Sequence, residues 1–189
     1  MGPGLKEIDV GAHDLVLRRW SLADYDALMA AVEASYDELH EWMPWAVRPL
    51  GDNEREFLRR VATGEVMGWG LWEMATGELV GGFGLHDRAG PGALEIGYWV
   101  RSDRTRRGYG TATARALTAA AFAHFPEVGR VEIHCDAANR ASAGIPERLG
   151  YRLLEERPMG IGTPGQSGRH LFWGVTRQEW EEPAPAAAS

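Results

Sequence analysis

One stretch of the sequence decides the fold: 95-EIGYWVRSDRTRRGYGT-111. Its pattern predicts a strand, a basic loop, a Gly-x-Gly pair and the start of an alanine-rich helix. A helix N-terminus exposes unpaired N–H groups and the positive end of the helix dipole, and glycines let a phosphate approach that backbone closely. Four arginines accompany the glycines: Arg101, Arg104, Arg106 and Arg107. We therefore expect this segment to bind a di- or polyphosphate.

Two commoner phosphate motifs do not fit. A dinucleotide-binding fold needs G-x-G-x-x-G early in a βαβ unit, with an acidic residue about 20 residues later. Here the third glycine is missing, and the motif follows three strands that the sequence predicts to be antiparallel. A Walker A motif needs GK[ST], which the segment lacks. The structural alternative is a tight strand-to-helix turn that binds no ligand. Placing several arginines at a partly buried turn costs free energy unless an anion balances their charge, which argues against that alternative.

The rest of the chain predicts an α/β protein with a mixed sheet. Alternating apolar positions predict strands over 14–20, 67–74, 79–86, 93–100, 130–136, 151–156 and 170–175, and three-to-four spacing predicts helices over 22–32, 36–42, 52–62, 108–124 and 139–149. This order favours a sheet that is antiparallel early and gains a parallel strand across the long helix. We expect a single domain over 14–182, an N-terminal extension over 1–13 and a flexible tail over 183–189.

Composition narrows the class of protein. Hydrophobic residues make up 44% of the 189 positions, as in a folded globular protein. Lys and Arg number 20 and Asp and Glu 27, so the net charge of −7 argues against general binding of nucleic acids or anionic membranes. The lone Cys135 excludes an internal disulfide, and no apolar run approaches the roughly 20 residues of a membrane span. The first residues lack a signal-peptide pattern, so we expect a cytoplasmic protein.

Glycine is unusually frequent, at 24 of 189 residues. This share of about 13% compares with a usual value of about 7%. The glycines crowd into residues 64–110, and several lie inside predicted strands, where glycine usually marks a bulge or a close backbone approach. The crowding indicates a ligand near these strands.

The chain resembles the GNAT acetyltransferase superfamily, whose signature is Q/R-x-x-G-x-G/A between a strand and a long helix. Residues 105–110, TRRGYG, match it at both glycines, while Thr105 replaces the usual Gln or Arg and Arg104 stands beside it. Within the superfamily the chain resembles most the Rim-type N-acetyltransferases of ribosomal proteins. That likeness rests on residues 39–45, 95–100, 107–112 and 136–151, and extends over about 14–176.

The resemblance implies a central, mostly antiparallel sheet with a parallel pair splayed around the cofactor and helices on both faces. It implies transfer of the acetyl group of acetyl-coenzyme A to an amine, without a metal. The pantetheine arm would pair with the strand ending at residues 99–101, as an added strand does. Cofactor contacts are expected from Trp99, Val100, Arg101, Arg106, Arg107, Gly108, Tyr109, Gly110, Thr111 and Asn139.

Direct attack of an amine on a thioester needs a neutral amine, an acceptor for its proton and a group that protonates or stabilises the thiolate. Glu95 is the expected base, because strand alternation places it with Gly97 and Trp99 on one face. A solvated or salt-bridged Glu95 is the structural alternative. His134, on a neighbouring strand, is a second candidate base.

Ser142 is the expected general acid for the departing thiolate. The resemblance to the family implies this role for the serine at this position. Asn139 is typical of a helix N-cap, and Ser142 falls one turn later on the same side; a pure capping pair is the alternative. Pro146 lacks an N–H and should leave the carbonyl of Ser142 without its helical partner. Tyr151 is a weaker candidate acid.

The acceptor side is expected at His40, Trp42 and Trp45, which with Glu95 would receive a cationic amine. Acidic neighbours surround the first three, although aromatic residues of the core are the alternative interpretation. We expect the acceptor to be a protein or peptide N-terminus or another cationic amine. An aminoglycoside-type antibiotic acetyltransferase and a non-catalytic acyl-coenzyme A-binding module stay open, and a homodimer is one option for assembly.

Overall fold

The computed structural model describes residues 5–182 and shows one eight-stranded sheet with helices on both faces. The strands are β1 (Glu7–Asp9), β2 (Leu15–Arg19), β3 (Met67–Glu73), β4 (Leu79–His86), β5 (Ala93–Val100), β6 (Arg130–Asp136), β7 (Arg152–Pro158) and β8 (Arg169–Thr176). The helices are α1 (Tyr25–Ala34), α2 (Tyr36–Trp42), α3 (Asp52–Ala62), α4 (Tyr109–His124), α5 (Arg140–Arg148) and α6 (Arg177–Glu181). Every strand and helix expected from the sequence is present.

The sheet has the strand order β1-β2-β3-β4-β5-β6-β8-β7, and β5 with β6 is its parallel pair. Only three residue pairs join these two strands, from Ala93 opposite Arg130 to Glu95 opposite Glu132. In contrast, β5 pairs with β4 as far as Val100, and β6 pairs with β8 as far as Asp136. The two strands therefore diverge after Glu95 and leave unpaired backbone groups along the edges that face each other. The expected mixed fold with a splayed parallel pair is confirmed.

Two apolar cores cover the two faces of the sheet. On one face, α4 and α5 pack on the strands through fully buried residues such as Leu117 and Ile133. On the other, α1, α2 and α3 enclose a second core around Val32 and Leu58. Burial of each such side chain contributes about 1.5–3 kcal/mol. The helices are thereby fixed on both sides of the gap between β5 and β6.

Two short elements were not expected from the sequence. Strand β1 lies in the segment assigned to an N-terminal extension and pairs with β2, and α6 follows β8 directly. At three and five residues, both are too short to show a hydrophobic period. The expected tail, 183–189, lies outside the described residues. Within 5–182, no helix is both long and apolar enough to cross a membrane.

Candidate active site

The expected phosphate site lies at the N-terminus of α4, directly beside the gap between β5 and β6. Gly108 caps the helix in the left-handed conformation, with φ of +82°, which glycine adopts at little cost. The first intrahelical bond runs from the N–H of Ala112 to the carbonyl of Gly108 at 3.0 Å. The N–H groups of residues 109–111 therefore precede the helical ladder and are available to an anion.

The four arginines of this segment divide into two pairs. Arg101 and Arg104 are held by acids of the chain: Arg101 binds Asp103 at 2.7 Å, and Arg104 binds Glu78 at 2.6 Å. The side chain of Thr105 donates to a backbone carbonyl within the same turn. In the described part of the chain, Arg106 and Arg107 form no ion pair and both are exposed. They are the cations of this loop that have no acidic partner to displace.

Helix α5 lies against the N-terminal end of α4. The Asn139 side chain caps α5 by accepting a hydrogen bond from the Ser142 N–H at 3.0 Å, as expected for an N-cap. This cap uses the backbone of Ser142 and leaves its hydroxyl free for another contact. The Ile145 side chain packs so close to Gly110 that a Cβ added there would come within 2.9 Å of it. The second glycine of the motif is therefore needed for packing of α4 on α5.

The hydroxyl of Ser142 lies 2.9 Å from that of Tyr98, the residue of β5 that faces it across the gap. Tyr98 also approaches the carbonyl of Ser142 at 3.3 Å. Pro146 lies inside α5 and has no N–H for that carbonyl, as expected, so the tyrosine hydroxyl serves as a donor in its place. Burial raises the pKa of Tyr98, which keeps its hydroxyl protonated. Two hydroxyls, one from β5 and one from α5, thus meet beside the gap between β5 and β6.

Tyr151 and Cys135 have more limited roles. The Tyr151 hydroxyl bonds the buried Thr118 hydroxyl of α4 at 2.7 Å. Cys135 is a buried thiol of β6 near Ser142, and burial raises its pKa to about 11. The contact with Thr118 favours a packing role for Tyr151 over the alternative role as an acid.

Glu95 lies in a row of alternating charges that crosses β5 and β6. It accepts two bonds from Arg88, at 2.5 and 2.8 Å, and one contact from His134 Nδ1 at 3.2 Å. The other nitrogen of His134 binds Glu132 at 2.5 Å, and Arg130 pairs with Glu132 in turn. The row therefore consists of three basic groups separated by two carboxylates.

These contacts fix the charge state of the two candidate bases. Burial of Glu95 opposes ionisation, but the bonds from His134 and Arg88 outweigh it and lower its pKa to about 2. Burial of His134 favours the neutral ring, but the hydrogen bonds with Glu95 and Glu132 outweigh it and raise its pKa. At neutral pH Glu95 is therefore a firmly held carboxylate, and the imidazolium form of His134 is stabilised relative to that of a free histidine.

A cavity of about 560 Å³ opens on the face of the sheet that carries α1, α2 and α3. Three glycines of β4 and β5 form its floor: Gly82, Gly84 and Gly97. Its aromatic lining includes Trp20, Trp45, Phe57 and Trp99, and its ionisable lining includes Glu54, His86 and Arg88. Tyr98 borders this cavity, while its side chain packs in the core of the opposite face and contacts Ser142, so the cavity and the Ser142 contact lie on either side of β5 at that residue.

His86 lies over the glycine floor and was not expected from the sequence. A Cβ added at Gly97 would lie 3.0 Å from its Nε2, and one at Gly84 would lie 3.1 Å away. Burial, followed by the nearby Arg88 guanidinium, lowers the pKa of His86 below its usual 6.5. His86 therefore favours the neutral imidazole at pH 7, and its pKa is shifted in the opposite direction to that of His134.

The residues expected on the acceptor side lie in different places. Trp45 lines the cavity and contacts Trp99 with ring centres 6.4 Å apart. His40 bonds the carbonyl of Ala46 at 2.9 Å and stacks on Tyr36, so it orders the loop that carries Trp45. Trp42 lies outside the lining. The sequence signal that could have identified the cavity is the run of strand glycines, which mark its floor.

No group of three or more His, Cys, Asp or Glu side chains suited to a metal ion occurs within residues 5–182. The polar groups at the gap and the cavity include the hydroxyls of Tyr98 and Ser142, the His86 imidazole, the Arg88–Glu95 ion pair and the carboxylate of Glu54.

Comparison with known proteins identifies the family. Residues 14–152 match the family described as acetyltransferase (GNAT) domain. The chain is 27% identical over 175 residues, 88% of this chain and 93% of the other, to YdaF of Bacillus subtilis (strain 168), whose name assigns it provisionally to the ribosomal N-acetyltransferases.

Solved structures share the fold. A GNAT-family acetyltransferase from Bacillus anthracis is 19% identical with a TM-score of 0.76, over 93% of this chain and 99% of the other. RimL, a ribosomal L7/L12 alpha-N-protein acetyltransferase solved with coenzyme A, is 18% identical with a TM-score of 0.77, over 90% and 97%. The match over 139 consecutive positions, residues 14–152, covers more than half of the 189-residue chain. The chain therefore belongs to the GNAT acetyltransferase domain family and is an acetyltransferase of that type.

Proposed function

We propose that the protein transfers the acetyl group of acetyl-coenzyme A to a primary amine by direct attack in a ternary complex. One observation carries the proposal. The gap between β5 and β6 and the cavity under α1, α2 and α3 both border Tyr98, and the free N-terminus of α4 lies at the end of β5, where a Cβ added at Gly110 would be 3.8 Å from Val100. An extended thioester and an amine entering from opposite sides would meet there. RimL, whose solved structure contains coenzyme A, has the same fold.

The cofactor would lie along the open edge of β5. Its pantetheine amides would pair with backbone groups of residues 96–100, which β6 leaves unpaired. Its pyrophosphate would accept bonds from the N–H groups of residues 109–111, with Arg106 and Arg107 beside it. Asn139 caps α5 through the N–H of Ser142, and its contact with the cofactor stays part of the proposal.

The departing thiolate would take its proton from Ser142. Its hydroxyl bonds that of Tyr98, which holds the serine in place. In this proposal Ser142 is the acid and Tyr98 is the group that orients it.

The proton of the attacking amine would go to His86. The ring lines the cavity and is neutral at pH 7, whereas Glu95 lies behind Arg88 with its carboxylate engaged. Glu95 would then act by positioning: it fixes Arg88, whose charge lowers the pKa of His86. This assignment replaces direct proton transfer to Glu95, which the sequence alone favoured.

The pH dependence of the rate separates these two bases. His86 is protonated as the pH falls through its lowered pKa, so wild-type kcat/KM should decline on the acidic side below pH 6.5. We expect His86→Gln to remove this acidic limb and to lower kcat/KM at neutral pH by up to about 100-fold. Glu95→Gln should keep an acidic limb. Steady-state rates measured between pH 5 and 9 test this assignment. Loss of the acidic limb only in Glu95→Gln would identify Glu95 as the base.

The acceptor we propose is a cationic amine such as a protein N-terminus, in line with the name of the B. subtilis relative. The aromatic lining of the cavity suits an acceptor that carries positive charge. A screen of coenzyme A release with N-terminal peptides, diamines and aminoglycosides tests the proposal. We expect turnover with an amine and formation of its acetamide. Binding of acetyl-coenzyme A without turnover on any amine would refute it, and preference for aminoglycosides would select the antibiotic alternative.

A further inference from the structure

Glu54 is a buried acid in which only one of the two carboxyl oxygens has a hydrogen-bond partner. It lies in the first turn of α3 and is 4% exposed. Its Oε2 accepts a bond from the N–H of Gly51 at 2.6 Å and so caps the helix. Its Oε1 is buried and has no hydrogen-bond partner among the described residues. A carboxylate oxygen in this state costs free energy unless a donor or a cation reaches it.

The surroundings of Glu54 are those of a cation site. Glu54 lines the cavity together with Phe57, its neighbour one turn along the same face of α3. Trp20 lines the cavity too and packs edge-on against Phe57, with ring centres 6.4 Å apart. Aromatic rings attract a cation while excluding water, which strengthens its attraction to the acid. The basic groups of the lining do not compete, because Arg88 is held by Glu95 and His86 is neutral at pH 7.

Glu54 is not suited to hold the amine that reacts. A buried carboxylate favours the charged ammonium form, and an ammonium has no lone pair for attack on a thioester. Glu54 and Tyr98 also belong to different walls of the cavity, one on α3 and the other on β5. The two places therefore suit two different groups of one acceptor molecule.

We propose that Glu54 binds a second, non-reacting cation of the acceptor, so that the preferred substrates are amines that carry another basic group. This inference rests on the proposed function for its reacting amine, and it narrows the acceptor to molecules with two basic centres. Diamines and peptides whose N-terminus is followed by a basic side chain belong to this class; simple monoamines do not.

Matched acceptors test the inference. Diaminobutane and aminobutanol have similar lengths and share a primary amine, but only the diamine has a second charge. In wild type we expect kcat/KM at least about tenfold higher for the diamine, as for one charged hydrogen bond. Glu54→Gln removes the charge and still accepts the bond from Gly51, as glutamine does in a capping box. This variant should lose the preference and leave the aminobutanol rate within about twofold of wild type.

The control variant is Asp52→Asn, which removes an exposed carboxylate from the same turn of α3. It should keep the preference. Equal rates for the two acceptors in wild type, or an equal loss for both in Glu54→Gln, would overturn the inference. The wild-type comparison decides the matter even where Glu54→Gln does not fold.

A binding measurement separates this inference from the proposed function. Calorimetric titration of diaminobutane into the protein saturated with coenzyme A needs no turnover. Binding that weakens about tenfold or more in Glu54→Gln would support the cation site even where no acetyl transfer occurs. Acetyl transfer with no effect of Glu54→Gln on binding or rate would leave the proposed function standing and remove the cation site.

Discussion

Gly108→Val should weaken binding of acetyl-coenzyme A by at least about 100-fold, because the added side chain keeps the pyrophosphate away from the start of α4. Two lost hydrogen bonds to a charged group, at about 1.5–3 kcal/mol each, account for a loss of this size. Gly108 also has a φ of +82°, where a β-branched residue is strained, and its Cβ would lie 3.2 Å from His13 Nε2. Calorimetric titration with acetyl-coenzyme A measures the effect.

A matched control separates lost binding from backbone strain. Gly64 has the same φ of +82°, lies after α3 and has open space where a Cβ would be added. Gly64→Val should cost similar stability, of order 1–3 kcal/mol, and keep wild-type affinity. A folded Gly108→Val with undiminished affinity would mean that the phosphates lie elsewhere.

Ser142→Ala should lower kcat by about 10²–10⁴-fold, the usual consequence of losing a general acid. The KM for acetyl-coenzyme A should change little, because the hydroxyl acts on charge that develops as the thiolate departs. In the structure, the hydroxyl of Ser142 can be removed without disturbing the cap of α5. The cap of α5 uses the N–H of Ser142, which alanine retains, so the loss of about 0.5–2 kcal/mol expected for a broken cap should not occur.

Tyr98→Phe supplies the second half of the test. It removes the hydroxyl that orients Ser142 but leaves the serine itself, so we expect a smaller fall in kcat than in Ser142→Ala. Thermal melting of both variants provides the control for folding. If Ser142→Ala melts normally and turns over at the wild-type rate, the thiolate leaves without help from this serine.

Local signals account for what the sequence predicted. The Gly-x-Gly pair, the Asn139 cap and the proline inside α5 each act over one turn of helix, so their structural consequences could be derived from neighbouring letters. The fold followed in the same way from periods of two and 3.6 residues. Strand β1 was not predicted because three residues are too few to show a hydrophobic period.

Partners that meet across the sheet could not be derived. Glu95 was expected to accept a proton, but its state is set by Arg88 in the turn after β4 and by His134 on β6. Those contacts depend on strand register, which one sequence does not specify. The same applies to His86 and Glu54, which lie 32 residues apart in the sequence and share one cavity.

The glycine floor also determines how this protein can diverge. A Cβ at Gly82 would come within 2.5 Å of the Trp99 ring, and one at Gly84 within 3.0 Å of the Met67 carbonyl. A side chain at either position would require a neighbouring group to move at the same time. Single substitutions at these glycines should therefore be poorly tolerated. The opposite wall is built from side chains of the helical layer, such as Leu28 and Phe57, which can be exchanged one at a time. Descendants that acquire a new acceptor should therefore differ in their helices while inheriting the same floor.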